Sequence, residues 1–584
     1  MSQLSDDTGG TVHETASRRA PWRRLLVILA AGSLFVAACG GGDDDGDDGA
    51  AEEGGGGSAT TAPTDLEPQP GGTLIYGLEA DTSTPWTPQN SVCAISCHMI
   101  MRTVYDTLAM YDEDGGVRPY LAESLEPNAD FTEWTITPQQ GITFHDGTPF
   151  DAAAICTNLS AHLSSVLTGK ALLNVNGGPD DPGAPGPQVN ADGTACVVPM
   201  KEPWTHFPVY LTGQIGYMAS PTWLAAVQAG TAEAAAPVGT GPFVYESYEP
   251  GNGGSFIATR NEGYWRASEG LPYLDRVEMR VFVDVQSRVN ALLDGTVDMI
   301  HLSNGEFVAD LREEDSIVLE ETSTFGETSY LLINNRDPVL SDVRVRRALA
   351  MATDNVALSE DRSAGVQPPA NGPYSPDQVG YLDDTGYPAF DLEGAIALVE
   401  EYEAENGPLS ITFDTTNDPY NRETNELIAA NWQAAGIDVT INTVEQGAYI
   451  LNALQGNFQV FGWRNHGGVD PDSQRIWWHS ETGDQATNPL ALNFGGIDDP
   501  DIDAQLEIIR TSNDDAERQA AAEEINRIFG EQVYNIWNTW TVWGLAHKPA
   551  VHGISDFTFP DGTGTISGAG IAGTHQLVQM WVEQ

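Results

Sequence analysis

Residues 409–463 read LSITFDTTNDPYNRETNELIAANWQAAGIDVTINTVEQGAYILNALQGNFQVFGW, and they carry the clearest architectural signal in the chain. Leu409, Ile411 and Phe413 alternate as a strand with one buried face does, and 422–435 has the spacing of a helix that Gly436 stops. Ile437, Val439 and Ile441 alternate again, 447–454 reads as a second helix, and 458–462 as a third strand. Strands that return through helices of this length pair in parallel. The stretch therefore predicts an α/β fold with a largely parallel sheet covered by helices, its ligand crevice beyond the carboxyl ends of the strands. Trp463 follows the third strand, which places the loop 463–472 at that crevice.

The same rhythm continues on either side. Asp391 is placed to cap a helix whose apolar positions are Leu392, Ala395, Ile396, Val399 and Tyr402, closed by Gly407. Val277, Met279, Val281 and Val283 alternate as a strand, 285–293 reads as a helix ended by Gly295, and 297–300 as another strand. Nearer the start, 73–76 is a short apolar strand, and 148–163 reads as a helix with Pro149 near its first turn. Trp537, Trp540 and Trp543 recur at spacings of three, which fits one buried helical stripe with one ring turned to the cleft. No fixed-period repeat is present.

The 584 residues include 84 Asp and Glu against 26 Lys and Arg, a formal charge of −58, with 41% hydrophobic residues. The apolar share supports a packed core of more than one unit. The charge excludes nucleic acid and a general anionic membrane surface as partners, because both are bound through Lys and Arg.

Arg18, Arg19, Arg23 and Arg24 precede an apolar run at 25–38 that ends in small residues before Cys39. Fourteen residues are too few for about 30 Å of hydrocarbon, so residues 1–38 read as a cleaved signal peptide. Val36, Ala37, Ala38 and Cys39 resemble the bacterial lipobox, which predicts acylation of Cys39 and anchoring to the outer face of the cell membrane. Ser17, Arg18 and Arg19 begin a twin-arginine export pattern that Ala20, Pro21 and Trp22 do not continue. From Gly40 to Pro70 there are nine acidic residues, nine Gly and no Lys or Arg. Such a segment cannot recover its ordering entropy by burial, so 39–70 is expected to be a solvated tether with a reach of roughly 30 Å.

Four Cys remain, and an exported protein permits disulfides among them. Three pairings of Cys93, Cys97, Cys156 and Cys196 are possible; joining near neighbours gives 93 to 97 and 156 to 196. A metal site built from them lacks a CxxC spacing, and no metal or cofactor is expected. There is no HExxH or GxSxG and no paired Cys/His signature for a secreted hydrolase. Gly239 to Gly241 lacks the Lys-Ser/Thr of a phosphate loop.

A series of short segments, in order, resembles the extracytoplasmic solute-binding proteins of ABC importers, of the peptide, opine and nickel type (family 5). They include Tyr105-Asp106-Thr107-Leu108, Phe144-His145-Asp146-Gly147, Gly239-Thr240-Gly241-Pro242-Phe243 and Leu271-Pro272-Tyr273-Leu274-Asp275. Leu293-Asp294-Gly295-Thr296-Val297-Asp298, Asp342-Val343-Arg344-Val345-Arg346-Arg347-Ala348-Leu349 and Ala434-Ala435-Gly436-Ile437-Asp438-Val439 continue the series, so that it spans nearly all of 71–584. The resemblance implies a two-lobe fold of the type II periplasmic-binding-protein kind with an interlobe cleft. Lobe 1 would comprise 71–328, with an inserted subdomain, and the return segment 541–584; lobe 2 would comprise 329–540. It implies a monomer that is not an enzyme: a lipid-anchored receptor closing by a hinge on a peptide-like or other polar organic solute and delivering it to an ABC permease. The alternatives are a receptor for a metal or metal chelate, resting on His98, His301 and His466, and a secreted hydrolase.

The resemblance also implies where ligand is held. Trp463 falls where the family places an aromatic in the cleft, and peptide binders of the family carry a carboxylate three positions later to hold the α-ammonium. That position is His466 here, preceded by Arg464 and Asn465. Asp470 is the acid able to substitute, unless Asp470-Pro471-Asp472 is a turn. Glu79, Tyr330 and Trp540 complete the expected contacts.

Overall fold

The computed structural model describes residues 66–81, 85–179, 181–465, 467–485, 490–565 and 573–584. The expected signal peptide, the acylated Cys39, nearly all of the tether and His466 lie outside them. Glu67–Gln584 form one compact unit.

The acidic composition is spent in part on starting helices. Asp151, Asp284, Asp342, Asp391, Asp418, Asp499 and Asp514 each accept a hydrogen bond from a backbone N–H in the first turn of the helix that follows. These caps satisfy donors that the helix itself leaves orphaned and place negative charge at the positive end of its dipole.

Two larger sheets organise the chain. The five-stranded sheet has the order Asp438–Val444, Ser410–Thr416, Val460–Asn465, Thr328–Ile333, Asn535–Trp540. Its first three strands are parallel, as the 409–462 pattern predicts, while Thr328–Ile333 runs antiparallel to both of its neighbours. The seven-stranded sheet has the order Val318–Thr322, Trp543–His547, Met299–Leu302, Thr73–Leu78, Arg276–Val281, Ser255–Arg260, Phe243–Glu249. Thr73–Leu78 runs parallel to both of its neighbours, and every other pair in the sheet is antiparallel. The expectation of a largely parallel fold is corrected to mixed sheets: Phe243–Glu249, Ser255–Arg260 and Arg276–Val281 follow one another as antiparallel neighbours with no crossover α-helix, and Thr328–Ile333 and Trp543–His547, the first strand after each crossing, each lie antiparallel to both neighbours. A four-stranded antiparallel sheet of Ala122–Pro127, Glu133–Pro138, Cys196–Pro199 and Gln188–Val189 stands apart from both. Cys156 of the helix Ala152–Leu163 is bonded to Cys196 at that sheet, and Cys93 is bonded to Cys97.

Three local expectations change. The helix expected at 148–163 starts at Ala152, because Asp151 caps it. The third strand of the 409–463 stretch is Val460–Asn465, so Trp463 lies inside it, opposite Tyr330. The three Trp are not a helical stripe: Trp537 and Trp540 belong to the strand Asn535–Trp540 and Trp543 opens the next. A register shift opposite Ser329 and Tyr330 adds a residue to the Asn535–Trp540 strand. A bulge of that kind lets residues three apart share a face, and Trp537 and Trp540 are buried in the same cluster.

The chain crosses between the two larger sheets twice, between Thr322 and Thr328 and between Trp540 and Trp543.

Candidate functional site

A cavity of about 790 Å³ is lined by residues of the five-stranded sheet, by loops that follow strands of the seven-stranded sheet, and by the segments that cover them. Its wall includes Glu79 and Ser303, which follow the strands Thr73–Leu78 and Met299–Leu302, and Trp463 and Arg464 on Val460–Asn465. Asp418, at the carboxyl end of Ser410–Thr416, also faces it. The volume falls within the range of small-molecule sites.

Arg464 ties the two sheets together. Its Nη2 donates to Glu79 Oε1 at 3.1 Å, its Nη1 donates to Ser303 Oγ, its Nε lies 3.5 Å from Glu327 Oε1, and its guanidinium sits 4.9 Å from the centre of the Trp543 ring. Burial alone would push the Glu79 carboxyl up, but Arg464, His301 and Arg288 outweigh it and hold the group below its ordinary value. Burial likewise disfavours the charged guanidinium of Arg464, and Glu79 and Glu327 more than restore it. Asp418 is different. Its Oδ1 accepts from Asn421 N at 2.8 Å, and burial, together with the nearby Glu79, raises its pKa against the opposing pull of Arg288.

Trp463 ends an aromatic stack. Its ring is nearly parallel to Tyr449 at 5.9 Å and to Phe461 at 6.4 Å, and Phe494 meets it edge-on at 5.2 Å. The ring stays half-buried at the cavity wall. Tyr330 also lines the cavity but is 4% exposed, with its ring 5.3 Å from Trp537 and its hydroxyl pushed up by burial.

Among the residues expected from sequence, the fold thus brings Glu79, Tyr330, Trp463 and Arg464 to one cavity. Asn465 contributes the last backbone position of its strand, paired with Thr328. Asp470 and Trp540 do not line it. Asp470 Oδ1 caps the turn Pro471–Gln474, accepting from Asp472 N at 2.8 Å, and also accepts from Arg518 Nη2 at 2.6 Å. That is the turn alternative, and it removes Asp470 as the substitute acid. Trp540 donates to Gly372 O at 3.3 Å and packs in the core.

Of the histidines, His98 lines the cavity with Nδ1 3.4 Å from the Tyr217 hydroxyl, and His301 shares a 3.0 Å hydrogen bond with the Tyr76 hydroxyl. Burial lowers His301 to about 3, so its ring is neutral at pH 7. Among the described residues, no three His, Cys, Asp or Glu side chains are grouped as a metal site requires.

Several wall residues escape a reading of the sequence: Arg288, Ser303, Asp418, Ile450, Trp477 and Phe494. Asp418-Pro419 carried a usable signal, since an Asp before a Pro at N1 marks a helix start just past a strand. Ile450 and Trp477 carried none, because half-buried and fully buried positions look alike in a helical pattern, and Phe494 lies in a segment without regular structure.

Residues 116–487 match the family described as bacterial extracellular solute-binding proteins, family 5 Middle. Di/tripeptide-binding protein 2 of Pseudomonas aeruginosa (strain UCBPP-PA14) is 30% identical over 303 residues, which are 51% of this chain and 55% of that protein, so the match spans about half the relative's length. The nickel-binding periplasmic protein of Escherichia coli (strain K12) is 26% identical over 461 residues, 74% of this chain and 82% of that one. The solved periplasmic binding protein DppA of Helicobacter pylori, in complex with the peptide STSA, aligns with a TM-score of 0.77 at 20% identity, over 88% of this chain and 99% of that one. At that identity the likeness speaks for the fold.

Proposed function

The chain belongs to the bacterial extracellular solute-binding proteins of family 5, and from that membership we infer that it captures a small organic solute outside the cytoplasm and hands it to the permease of an ABC importer. It is a transport protein and not an enzyme. The observation that carries this function is the cavity itself, walled on one side by the five-stranded sheet and on the other by loops that follow strands of the seven-stranded sheet, two sheets that the described chain joins through 323–327 and 541–542. Two such short connections suit a hinge, with 71–328 and 541–584 as one lobe and 329–540 as the other. The four-stranded sheet would be the subdomain inserted in the first lobe. A solute touching both walls favours the closed form by the contacts it gains there.

The solute is peptide-like or another polar organic molecule. Trp463 supplies apolar area, and Glu79, Arg464 and Tyr330 supply the polar frame. Names borne by relatives, di/tripeptide-binding and nickel-binding, mark the two chemistries to compare. Cys39 carries the lipid anchor, and 39–70 gives the receptor its reach from the outer face of the membrane.

The test is a thermal-shift and calorimetric panel on the full chain with amino acids, short peptides, opines, sugars and nickel with histidine. A binder should raise the melting temperature and be recovered chemically unchanged. Turnover of any solute, or no response across the panel, contradicts the function. Cys39→Ser should release the protein from the membrane fraction.

A further inference from the structure

Besides Arg464, a second set of contacts joins what the hinge would part, and it is buried. The segment 204–212 follows the four-stranded sheet in the first lobe and meets the turn Pro471–Gln474 and the end of the helix Pro500–Thr511 in the second. Trp204 Nε1 donates to Asp472 Oδ2 at 2.8 Å, and the Tyr210 hydroxyl donates to Asp472 O at 3.0 Å while accepting from Arg510 Nη2 at 2.9 Å. Thr205 N and Oγ1 both donate to Arg510 O, at 3.0 and 2.8 Å. These five residues are at most 9% exposed. Lys170 Nζ, which donates to Asp484 O at 2.7 Å, and His206 Nε2, 3.9 Å from Asp470 Oδ2, also run from the first lobe to the second. Tyr210 lines the cavity, so this seam borders the space that closure encloses.

The strongest bonds of the seam run along it, not across it. On one side Asp472 and Arg510 form their ion pair wholly within the second lobe. On the other, the Trp204 ring packs edge-on against Phe207 at 5.2 Å and Tyr210 at 4.8 Å, and its carbonyl accepts from Trp134 Nε1 at 2.9 Å. The subdomain is bonded in turn to its own lobe: His145 N donates to Gly239 O at 2.9 Å, and Ser220 Oγ donates to Asp146 Oδ2 at 2.6 Å. A parting along 204–210 therefore leaves the charges paired and the aromatic group whole. What it gives up are hydrogen bonds that water replaces on both sides and part of the cover of one hydrophobic cluster. A charge stranded without its partner would forbid such a parting, and none is.

We propose that Trp204, Thr205 and Tyr210 form a releasable clasp, which holds the inserted subdomain against the second lobe in the closed receptor and parts when the hinge opens to admit solute. Its strength sets the closed fraction of the solute-free receptor, and with it how much of its binding free energy a solute spends on closure. The clasp rests on the hinged receptor function above and adds the contact that regulates it.

The experiment is amide hydrogen exchange of the solute-free full chain, read residue by residue, because two adjacent amides report on different bonds. Thr205 N bonds Arg510 O across the seam, whereas Trp204 N bonds Phe131 O and Met200 N bonds Thr132 O inside the subdomain. Protection at Thr205 should be at least about tenfold lower than at Trp204 and Met200, with His145 as protected as they are. Tyr210→Phe removes two bonds of the clasp and should speed exchange at 205 a further three- to tenfold or about that, leaving Trp204 and Met200 unchanged. Lys170→Met, on another element that reaches the second lobe, gives the same readout should Tyr210→Phe fail to fold. Equal protection at 204 and 205, or variants that speed both alike, overturns the clasp and makes the contact part of a fixed core. Fast exchange at His145 with Thr205 protected also overturns it, since the subdomain then travels with the second lobe. Solute capture itself is decided separately by the thermal-shift panel, so the clasp can fail while the receptor function stands.

Discussion

Two ion pairs, one built on Arg464 and one on Asp472 eight residues later in sequence, show how burial separates a cavity wall from its scaffold. Arg464 meets Glu79 with 37% and 16% of the two side chains exposed at the cavity wall. Asp472 meets Arg510 at 3.0 Å with 0% and 3% exposed. Asp472 also accepts from Trp204 Nε1 at 2.8 Å, and the Arg510 guanidinium lies 4.0 Å from the centre of the Trp204 ring. The first pair keeps water on one side, so its attraction is screened and a solute can exchange with it. The second pair has no water to replace a lost partner, so each member depends on the other. The same residue types thus line a cavity in one place and hold the core together in the other.

The largest expected effect breaks the buried member of this comparison. Asp472→Ala leaves Arg510 charged in the core and should cost about 3–5 kcal/mol of stability in a urea titration. The double replacement Asp472→Leu with Arg510→Met should recover part of that loss. A cost no larger than that of a surface substitution would show that water reaches the pair and that burial does not divide the two clusters.

Next in size is the aromatic beside the exposed pair. Trp463→Ala should weaken the tightest solute of the panel by roughly 30-fold, about 2 kcal/mol, with the melting temperature of the free protein far less affected than by Asp472→Ala. Equal losses in both measurements would make Trp463 a core residue and move the site away from it.

The acid response sharpens the comparison on the cavity side. His301, near Glu79, is lowered to about 3 by burial, so below its ordinary value of 6.5 the unfolded chain binds a proton that the native chain does not. Stability should therefore fall as pH drops from about 6.5 toward 3, by about 1.4 kcal/mol per pH unit from this one group. Asp106, raised to about 6 by burial, works in the opposite direction between 6 and its ordinary 3.8, so the clean measurement is a difference. The slope between pH 4 and 6 in His301→Asn should be shallower than in wild type by one proton. Identical slopes would place water at the ring.

The smallest effect belongs to the exposed pair itself. Arg464→Met should change stability less than Asp472→Ala does, because 37% of the Arg464 side chain stays exposed, although Glu79 and the buried Glu327 lose a facing charge. It should nonetheless increase the radius of gyration of the solute-free protein in X-ray scattering, since the contacts of Arg464 with Glu79 and Ser303 join the two sheets. An unchanged radius would mean that other contacts hold the cavity closed.

The parallel core at 410–465 was legible because its information is local: alternation, helical spacing and Gly stops are all read within a dozen residues. Its edges were less so. Trp463 was expected just after the strand, but Thr328–Ile333, some 130 residues earlier, pairs with positions 460–465 and extends the strand over it. Trp537 and Trp540 had helical spacing only because a bulge, set by the same partner strand, shifted their register. At the site, Trp463, Arg464, Glu79 and Tyr330 were reachable from family resemblance, whereas Asp470 was drawn away by Arg518, an interaction that no local pattern announces.

By itself the sequence determined the α/β character and the Asp391 cap, and it carries the expectation of an export signal, a lipobox and an acidic tether, since each depends on composition or on neighbours along the chain. Tertiary structure alone decided which sheets are mixed, which Asp lines the cavity and which meets a buried Arg, and where half-buried apolar side chains meet. Those outcomes depend on pairs such as Glu79 and Arg464, 385 residues apart, and on the water each pair keeps or loses when the chain closes around it.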